Sequence, residues 1–180
     1  MAAVLGLDRA LVAQACEEAE DVGPVQLANL NGPGQTVIAG ATAAVKKAAD
    51  LAKAKGAKRA VLLPVSAPFH SALLRPAAER LAAVLGGIRF RDLGVPLVTN
   101  VDADLLTEGA RVAETLVRQV TAPVRWEDGV RRLAKEGVTV AVEVGPGKVL
   151  SGLIRRIAPE IQTLNVEDRA SLQATLEALR

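Results

Sequence analysis

The turn segment Asn31-Gly-Pro-Gly34 limits what this chain of 180 residues can fold into more than any other feature. Glycine and proline in this arrangement mark a reversal of the chain. Short runs with strand-like composition stand on both sides of it, at residues 25–29 and 36–39. Two such runs joined by a glycine-containing turn predict a β-hairpin.

A helix and then another short strand flank this hairpin on each side. The predicted elements are strands at 3–6, 25–29, 36–39 and 59–63 and helices at 8–20 and 42–55. The resulting order, β-α-β-β-α-β, is the split βαβ order of ferredoxin-like folds. We therefore expect residues 1–63 to form a complete ferredoxin-like small subdomain.

Residues 64–180 predict a second unit in which strands alternate with helices. The predicted strands are at 96–99, 139–144 and 162–165, and the helices are at 71–85, 110–119, 128–135, 149–157 and 169–179. Alternation of this kind favours a parallel sheet with crossover helices. Three strands are few for such a sheet, so the mixed α/β (α+β) chain is expected to hold only part of a larger α/β domain. An incomplete sheet exposes apolar surface, and we expect the chain either to self-associate through it or to adopt a rearranged C-terminal unit.

Composition excludes several classes of function. The net charge is +2, which leaves no broad footprint for nucleic acid. Cys16 is the single cysteine and His70 the single histidine, so neither a disulfide nor a structural zinc site is expected. No segment resembles a signal peptide or a membrane span, which predicts a cytoplasmic protein without membrane contact. The basic pair Lys58 and Arg59 is either a solvated surface or a docking site for a phosphate or an acidic protein.

His70 is the strongest candidate for chemistry, because histidine transfers protons near neutral pH. It lies in Pro64-Val-Ser-Ala-Pro-Phe-His-Ser-Ala-Leu-Leu-Arg-Pro76, at a predicted junction between a loop and a helix. A histidine in such a place can also serve only to cap or to pack. The residues around it decide between these two interpretations.

Five segments resemble, in order, those of malonyl-CoA:acyl-carrier-protein transacylases. They are Asn29-Leu-Asn-Gly-Pro-Gly-Gln-Thr-Val-Ile-Ala-Gly40, Val65-Ser-Ala-Pro-Phe-His70, Leu116-Val-Arg-Gln119, Pro123-Val-Arg-Trp126 and Glu143-Val-Gly-Pro-Gly-Lys-Val-Leu150. One match could be chance, but several in register identify the chain as similar to this family over nearly its whole length.

The resemblance implies a ping-pong transfer of malonyl from coenzyme A to the phosphopantetheine thiol of acyl carrier protein. His70 would take a proton from a nucleophilic serine and return it to the departing thiol. The backbone carbonyl of Gln119 would orient His70. Phe69 would either restrict the acyl group or serve only as a core residue. Asn29 and Asn31 would either line the cleft or serve only the hairpin turn.

The resemblance also implies an organisation and partners. Residues 1–63 would be the small subdomain, and residues 64–180 the C-terminal part of an α/β-hydrolase-like acyltransferase domain. Lys58 and Arg59 would meet the phosphates of coenzyme A or the acidic carrier protein. No cofactor of the chain itself and no metal is expected, because the phosphopantetheine arrives on the partner.

Three family features are absent from these 180 residues: the Gly-x-Ser-x-Gly elbow, a Gly-Gln-Gly segment and the arginine that clamps the malonyl carboxylate. We therefore expect a truncated chain that supplies the histidine but not the serine and is inactive alone. The alternatives are a non-catalytic carrier-protein-binding module and an acyltransferase of a polyketide pathway. A hydrolase of another kind that uses Ser66 is a further possibility.

Overall fold

The predicted turn at residues 31–34 closes a β-hairpin in the computed structural model of the protein, which describes residues 1–180. The first elements are β1 (Ala2–Leu5), α1 (Arg9–Glu17), β2 (Val25–Gly32), β3 (Gln35–Gly40), α2 (Thr42–Ala54) and β4 (Arg59–Leu62). The four strands form one antiparallel sheet in the order β2-β3-β1-β4. This is the ferredoxin-like arrangement, and the fold prediction for this part of the chain is confirmed.

Local signals set the ends of these elements. The side chain of Asp8 accepts a hydrogen bond from the Ala10 amide and caps α1, as an N-terminal aspartate should. Gly56 follows the C-cap residue of α2, Lys55, with a φ of 102°, a conformation that glycine adopts without strain. Gly40 has no room for a side chain, since a Cβ there would lie 2.1 Å from the Pro24 carbonyl oxygen.

One face of the sheet carries the main core. Helices α1 and α2 pack on it through small aliphatic residues, and Ile38 at its centre is fully buried. Cys16 belongs to this core, and burial, followed by the charges of nearby glutamates, raises the pKa of its thiol to about 12. The thiol is therefore protonated and inert. The opposite face carries a second cluster of buried residues, Ala28, Val37 and Ala39; we call it the open face only because α1 and α2 do not pack on it.

The chain divides into two compact units, Met1–Gly129 and Val130–Arg180. The sheet lies within the first unit, together with residues 63–129. The boundary predicted at residue 63 is a different one: it would separate the two subdomains that the resemblance implies, and it stays a prediction. The remaining elements of the first unit are α3 (Arg75–Leu85), β5 (Leu97–Val98), β6 (Leu105–Leu106), α4 (Val112–Thr121) and the start of α5 (Trp126–Lys135). Helix α5 contains the boundary between the two units.

Two predicted elements differ in this region. The helix expected at 71–85 is a 3-10 turn, Ala72–Leu74, followed by α3. Pro76 explains the later start, because a proline has no amide proton and is tolerated only in the first turn of a helix. The strand expected at 96–99 is not part of a parallel sheet, because β5 pairs antiparallel with β6. The tight turn between them, where Ala103 has a φ of 54°, reverses the chain.

The second unit contains a short parallel sheet. Its elements are β7 (Val140–Val144), α6 (Val149–Ile157), β8 (Gln162–Val166) and α7 (Arg169–Ala178). Strands β7 and β8 pair in parallel, as the alternation of strands and helices predicted. No helix of the structure is long and apolar enough to cross a bilayer.

Glu143 on β7 joins this sheet to α6. Its carboxylate accepts hydrogen bonds from the Leu150 amide at 3.0 Å, the Ser151 amide at 2.8 Å and the Ser151 hydroxyl at 2.6 Å. The residue at the N-cap position itself, Lys148, forms no capping bond. Glu143 therefore satisfies the first amides of α6 from outside the helix. The Ser151 hydroxyl and then these amides hold the pKa of the Glu143 carboxyl below its ordinary value.

We predict that Glu143→Gln lowers the free energy of unfolding by about 1 kcal/mol at pH 7, the usual cost of losing a helix cap. The folded state favours the carboxylate, so this stabilisation is fully present above the ordinary pKa of glutamate. This stabilisation is lost as the pH falls through the lowered pKa that Glu143 has in the folded state. Urea unfolding at pH 7 and near pH 3.5 measures the difference.

Glu160→Gln is the matched control, because Glu160 is exposed in the same unit. It should leave the free energy of unfolding unchanged at both pH values. A Glu143→Gln variant as stable as the parent protein at pH 7 would contradict the capping role.

Candidate active site

His70 lies in the loop between β4 and α3, in an unusual backbone conformation. Its φ is 58°, in the left-handed region that few residues other than glycine adopt. Its ring is partly buried, and Nδ1 lies 3.0 Å from the backbone carbonyl oxygen of Gln119. A carbonyl oxygen can only accept, so Nδ1 carries the proton. In the neutral ring the lone pair is then on Nε2, where the structure records no hydrogen bond.

The Gln119 carbonyl is free to accept this bond because of a proline. In a continuous α-helix it would accept from the amide four residues later, which here is Pro123. Proline has no amide proton. Helix α4 also ends at Thr121, so the Gln119 carbonyl is one of the terminal acceptors without a partner inside the helix. The His70 ring fills this position.

Several contacts fix the end of α4. Arg118 donates two hydrogen bonds to the Asp102 carboxylate, at 2.8 and 2.6 Å. This bidentate pair holds the pKa of the Asp102 carboxyl below its ordinary value. The Val124 backbone bonds to β2 on both sides, donating to Ala28 at 2.9 Å and accepting from Leu30 at 2.8 Å. The carbonyl that meets His70 therefore belongs to a firmly anchored segment.

Gln26 is a site residue that the sequence did not predict. Its side-chain amide donates to the carbonyl oxygens of His70 at 3.3 Å and Thr121 at 3.1 Å, and it accepts from the Ala72 amide at 3.0 Å. The only signal in the sequence is a polar residue between Val25 and Leu27 of a predicted strand. That signal does not identify partners so distant in sequence.

The two candidate asparagines have different positions. Asn29 pairs with Val37 and therefore shares the open face, the same face that holds the His70 loop through Gln26. Asn31 stands at a shift of register next to the turn and has no residue opposite it. The structure thus brings Asn29 to the face of His70 and leaves Asn31 at the far end of the hairpin.

The remaining candidates are separated in the same way. Phe69 precedes His70 directly, and 45% of its surface is exposed, so its ring is available to a ligand. Arg59 pairs with Leu5, at the turn end of the sheet, and Lys58 precedes it. Gln26 lies opposite Ala39, which is four residues farther along β3 than Gln35, the residue opposite Leu5; four residues of strand span about 14 Å. Lys58 and Arg59 are therefore not next to His70.

No serine hydroxyl meets the His70 ring in the structure. Ser71 is 2% exposed, and its hydroxyl donates to the Pro68 carbonyl at 2.7 Å. Ser66 lies in an exposed bend before the 3-10 turn. An elbow for a nucleophile requires a sharp turn directly between a strand and a helix, and this bend is not one. The structure also contains no group of three or more His, Cys, Asp or Glu side chains that could hold a metal ion.

Comparison with known proteins places this geometry in a family. The model of the acyl transferase domain matches residues 1–172. A malonyl CoA-acyl carrier protein transacylase of Bacillus subtilis is 45% identical over 100% of this chain and 57% of its own length. The corresponding protein of Haemophilus influenzae is 48% identical over 99% of this chain and 57% of its own length. The chain thus spans a little over half the length of the curated relatives it matches.

Solved structures agree with these relatives. An acyl-carrier-protein S-malonyltransferase of Burkholderia pseudomallei has a TM-score of 0.94 and 46% identity, over 98% of this chain and 57% of that one. A malonyl-transacylase in complex with its type II polyketide acyl carrier protein has a TM-score of 0.95 and 44% identity, over 98% of this chain and 57% of that one. Since the family model covers nearly every residue, the chain belongs to the acyl transferase domain family.

Proposed function

We propose that this chain contributes the histidine half of a malonyl-CoA:acyl-carrier-protein transacylase. The observation that carries the proposal is the hydrogen bond from His70 Nδ1 to the Gln119 carbonyl, because it leaves Nε2 able to accept a proton. The names of the similar proteins support malonyl as the group transferred and acyl carrier protein as the acceptor. The complex with a carrier protein among the similar structures supports the same partner.

The chemistry follows from the orientation of the ring. His70 Nε2 removes the proton of a serine hydroxyl as the serine oxygen attacks the malonyl thioester. The bond to the coenzyme A sulfur breaks, and the proton passes from Nε2 to that sulfur. The carrier-protein thiol then attacks the malonyl-serine ester by the same proton transfers in reverse. The Gln119 carbonyl holds the ring throughout and, as a neutral partner, gives less stabilisation to the imidazolium than a carboxylate would.

Other predicted residues have supporting roles in this proposal. Phe69 next to His70 narrows the space at the acyl group. Asn29 on the open face lines the cleft, and Asn31 acts farther along the same strand. Lys58 and Arg59, at the turn end of the sheet, would bind the remote phosphates of coenzyme A or the acidic surface of the carrier protein.

The nucleophile must come from outside these residues, because they contain no Gly-x-Ser-x-Gly segment. The chain by itself should therefore transfer little or no malonyl, since loss of the nucleophile alone removes several orders of magnitude in rate. The same absence favours the second candidate, a module that binds carrier protein without catalysis. Fatty acid and polyketide carrier proteins are both acceptable partners, as a polyketide complex is among the similar structures.

We predict that a chimaera regains malonyl transfer when this chain is joined to the part of the Bacillus subtilis relative that it does not match. His70→Ala in that chimaera should lower kcat/KM by about 10²–10⁴-fold, the usual contribution of a general acid–base. Transfer of radiolabelled malonyl from coenzyme A to acyl carrier protein measures the rate.

Glu79→Gln is the control, because Glu79 is exposed on α3 and has no role in the proposal. The unmodified chain alone should show no malonyl adduct by intact mass. An adduct on the chain alone would contradict the missing nucleophile. A His70→Ala chimaera that keeps the parent rate would contradict the catalytic role of the histidine.

We predict that Phe69→Ser in the chimaera weakens the preference for malonyl over methylmalonyl by about 10-fold or more, as expected for one methyl group in an apolar pocket. The ratio of kcat/KM for the two thioesters measures this. Leu73→Ser is the matched control, since 43% of Leu73 is exposed, close to the value for Phe69. An unchanged ratio in Phe69→Ser would show that this ring does not select the acyl group.

We predict that the isolated chain self-associates through exposed valines of the β7–β8 sheet. Parallel sheets are normally covered on both faces, yet 79% of Val144 on β7 is exposed. Val144→Lys should shift the sedimentation coefficient toward that of a monomer. Val95→Lys is the control, because Val95 is 77% exposed in a loop. A parent chain that is monomeric at about 100 μM would contradict this prediction, since such an exposed patch should associate at that concentration.

A further inference from the structure

The side chain of Gln26 uses both of its amide protons and its oxygen on backbone groups of other segments. Nε2 donates to the carbonyl oxygens of His70 and Thr121, and Oε1 accepts from the Ala72 amide. Two carbonyl oxygens can only accept and an amide can only donate, so these partners fix which way the Gln26 amide points.

These backbone groups flank both members of the His70–Gln119 hydrogen bond. The His70 carbonyl and the Ala72 amide belong to the loop that carries the imidazole. Thr121 lies two residues after Gln119, at the end of α4. The planar amide of Gln26 therefore binds both the loop of His70, which donates this hydrogen bond, and the end of α4, which accepts it.

Gln26 itself stands on a rigid support. It lies in β2, opposite Ala39 of β3, in the best-paired part of the hairpin. The other edge of β2 bonds to the Val124 backbone, just beyond α4. A side chain on a paired strand positions its partners more firmly than one on a loop.

The backbone of His70 needs such support. A residue other than glycine with a φ of 58° is in a strained conformation, which persists only where the surroundings determine it. The hydrogen bond from Gln26 falls on the carbonyl of His70 itself, and the bond to Ala72 fixes the next peptides. Without them the loop can turn, and the imidazole can leave Gln119.

We propose that Gln26 is a positioning residue that aligns the His70 imidazole with the Gln119 carbonyl. The catalytic consequence depends on the proposed function, but the alignment of the ring does not. Gln26→Met removes every bond at similar length. Gln26→Glu keeps an acceptor for the Ala72 amide and replaces the two donors with a carboxylate oxygen that faces two carbonyl oxygens.

The test uses the 180-residue chain itself, labelled with ¹⁵N-histidine. Because His70 is the only histidine, its ring gives a single set of signals. We expect a protected Nδ1–H resonance in the parent chain. Its exchange with water should be roughly fivefold faster or more in both Gln26 variants, the factor that loss of one net hydrogen bond gives. Gln173→Met on the exposed side of α7 is the control and should exchange at the parent rate.

Circular dichroism and the melting temperature report whether each variant is folded. If Gln26→Met does not fold, Gln26→Glu decides. Parent-like exchange in a folded Gln26→Glu chain overturns the proposal, and loss of the fold in both variants does so too, since it would show a structural role instead.

Activity in the chimaera separates this inference from the proposed function. We expect both Gln26 variants to lower kcat about tenfold with little change in KM, because the ring and not the substrate loses its alignment. Faster Nδ1–H exchange together with an active His70→Ala chimaera would leave the positioning intact and contradict only the catalytic role of His70. An unchanged kcat in Gln26 variants of a chimaera that needs His70 overturns the positioning.

Discussion

The hydrogen bond between the His70 ring and the Gln119 carbonyl is the interaction on which the rest of the site depends. It sets which ring nitrogen carries the proton and therefore which one can act as a base. The carbonyl is available for it because α4 ends at Thr121 and Pro123 has no amide proton. A backbone carbonyl stays in place whatever the side chain at position 119 is, so the position of this acceptor depends on where α4 ends.

Strand β2 is the common support of both partners. It holds the end of α4 through the Val124 backbone and holds the His70 loop through Gln26. The ferredoxin-like sheet thus has two surfaces with separate tasks. Helices α1 and α2 cover one face and form the core, and the open face positions the candidate site.

The sequence predicted those features that local signals determine. The hairpin, the ferredoxin-like order and the bounds of α6 follow from turn residues and periodicity. Gln119 came only from the resemblance, although the spacing of four residues to Pro123 was a physical signal for a free carbonyl. Gln26 could not be found, because its partners His70 and Thr121 lie 44 and 95 residues away. The two-residue strand β6 has no period that a pattern can detect.

The tautomer of His70 tests the central claim most directly. Long-range ¹⁵N–¹H spectra of the neutral ring distinguish a proton on Nδ1 from one on Nε2, and the chain has no second histidine to confuse them. A ring bound to the Gln119 carbonyl must carry its proton on Nδ1, so we expect that tautomer, with Nε2 unprotonated. A ring protonated on Nε2 would contradict the account, because the hydrogen bond could not form and the base would point the wrong way.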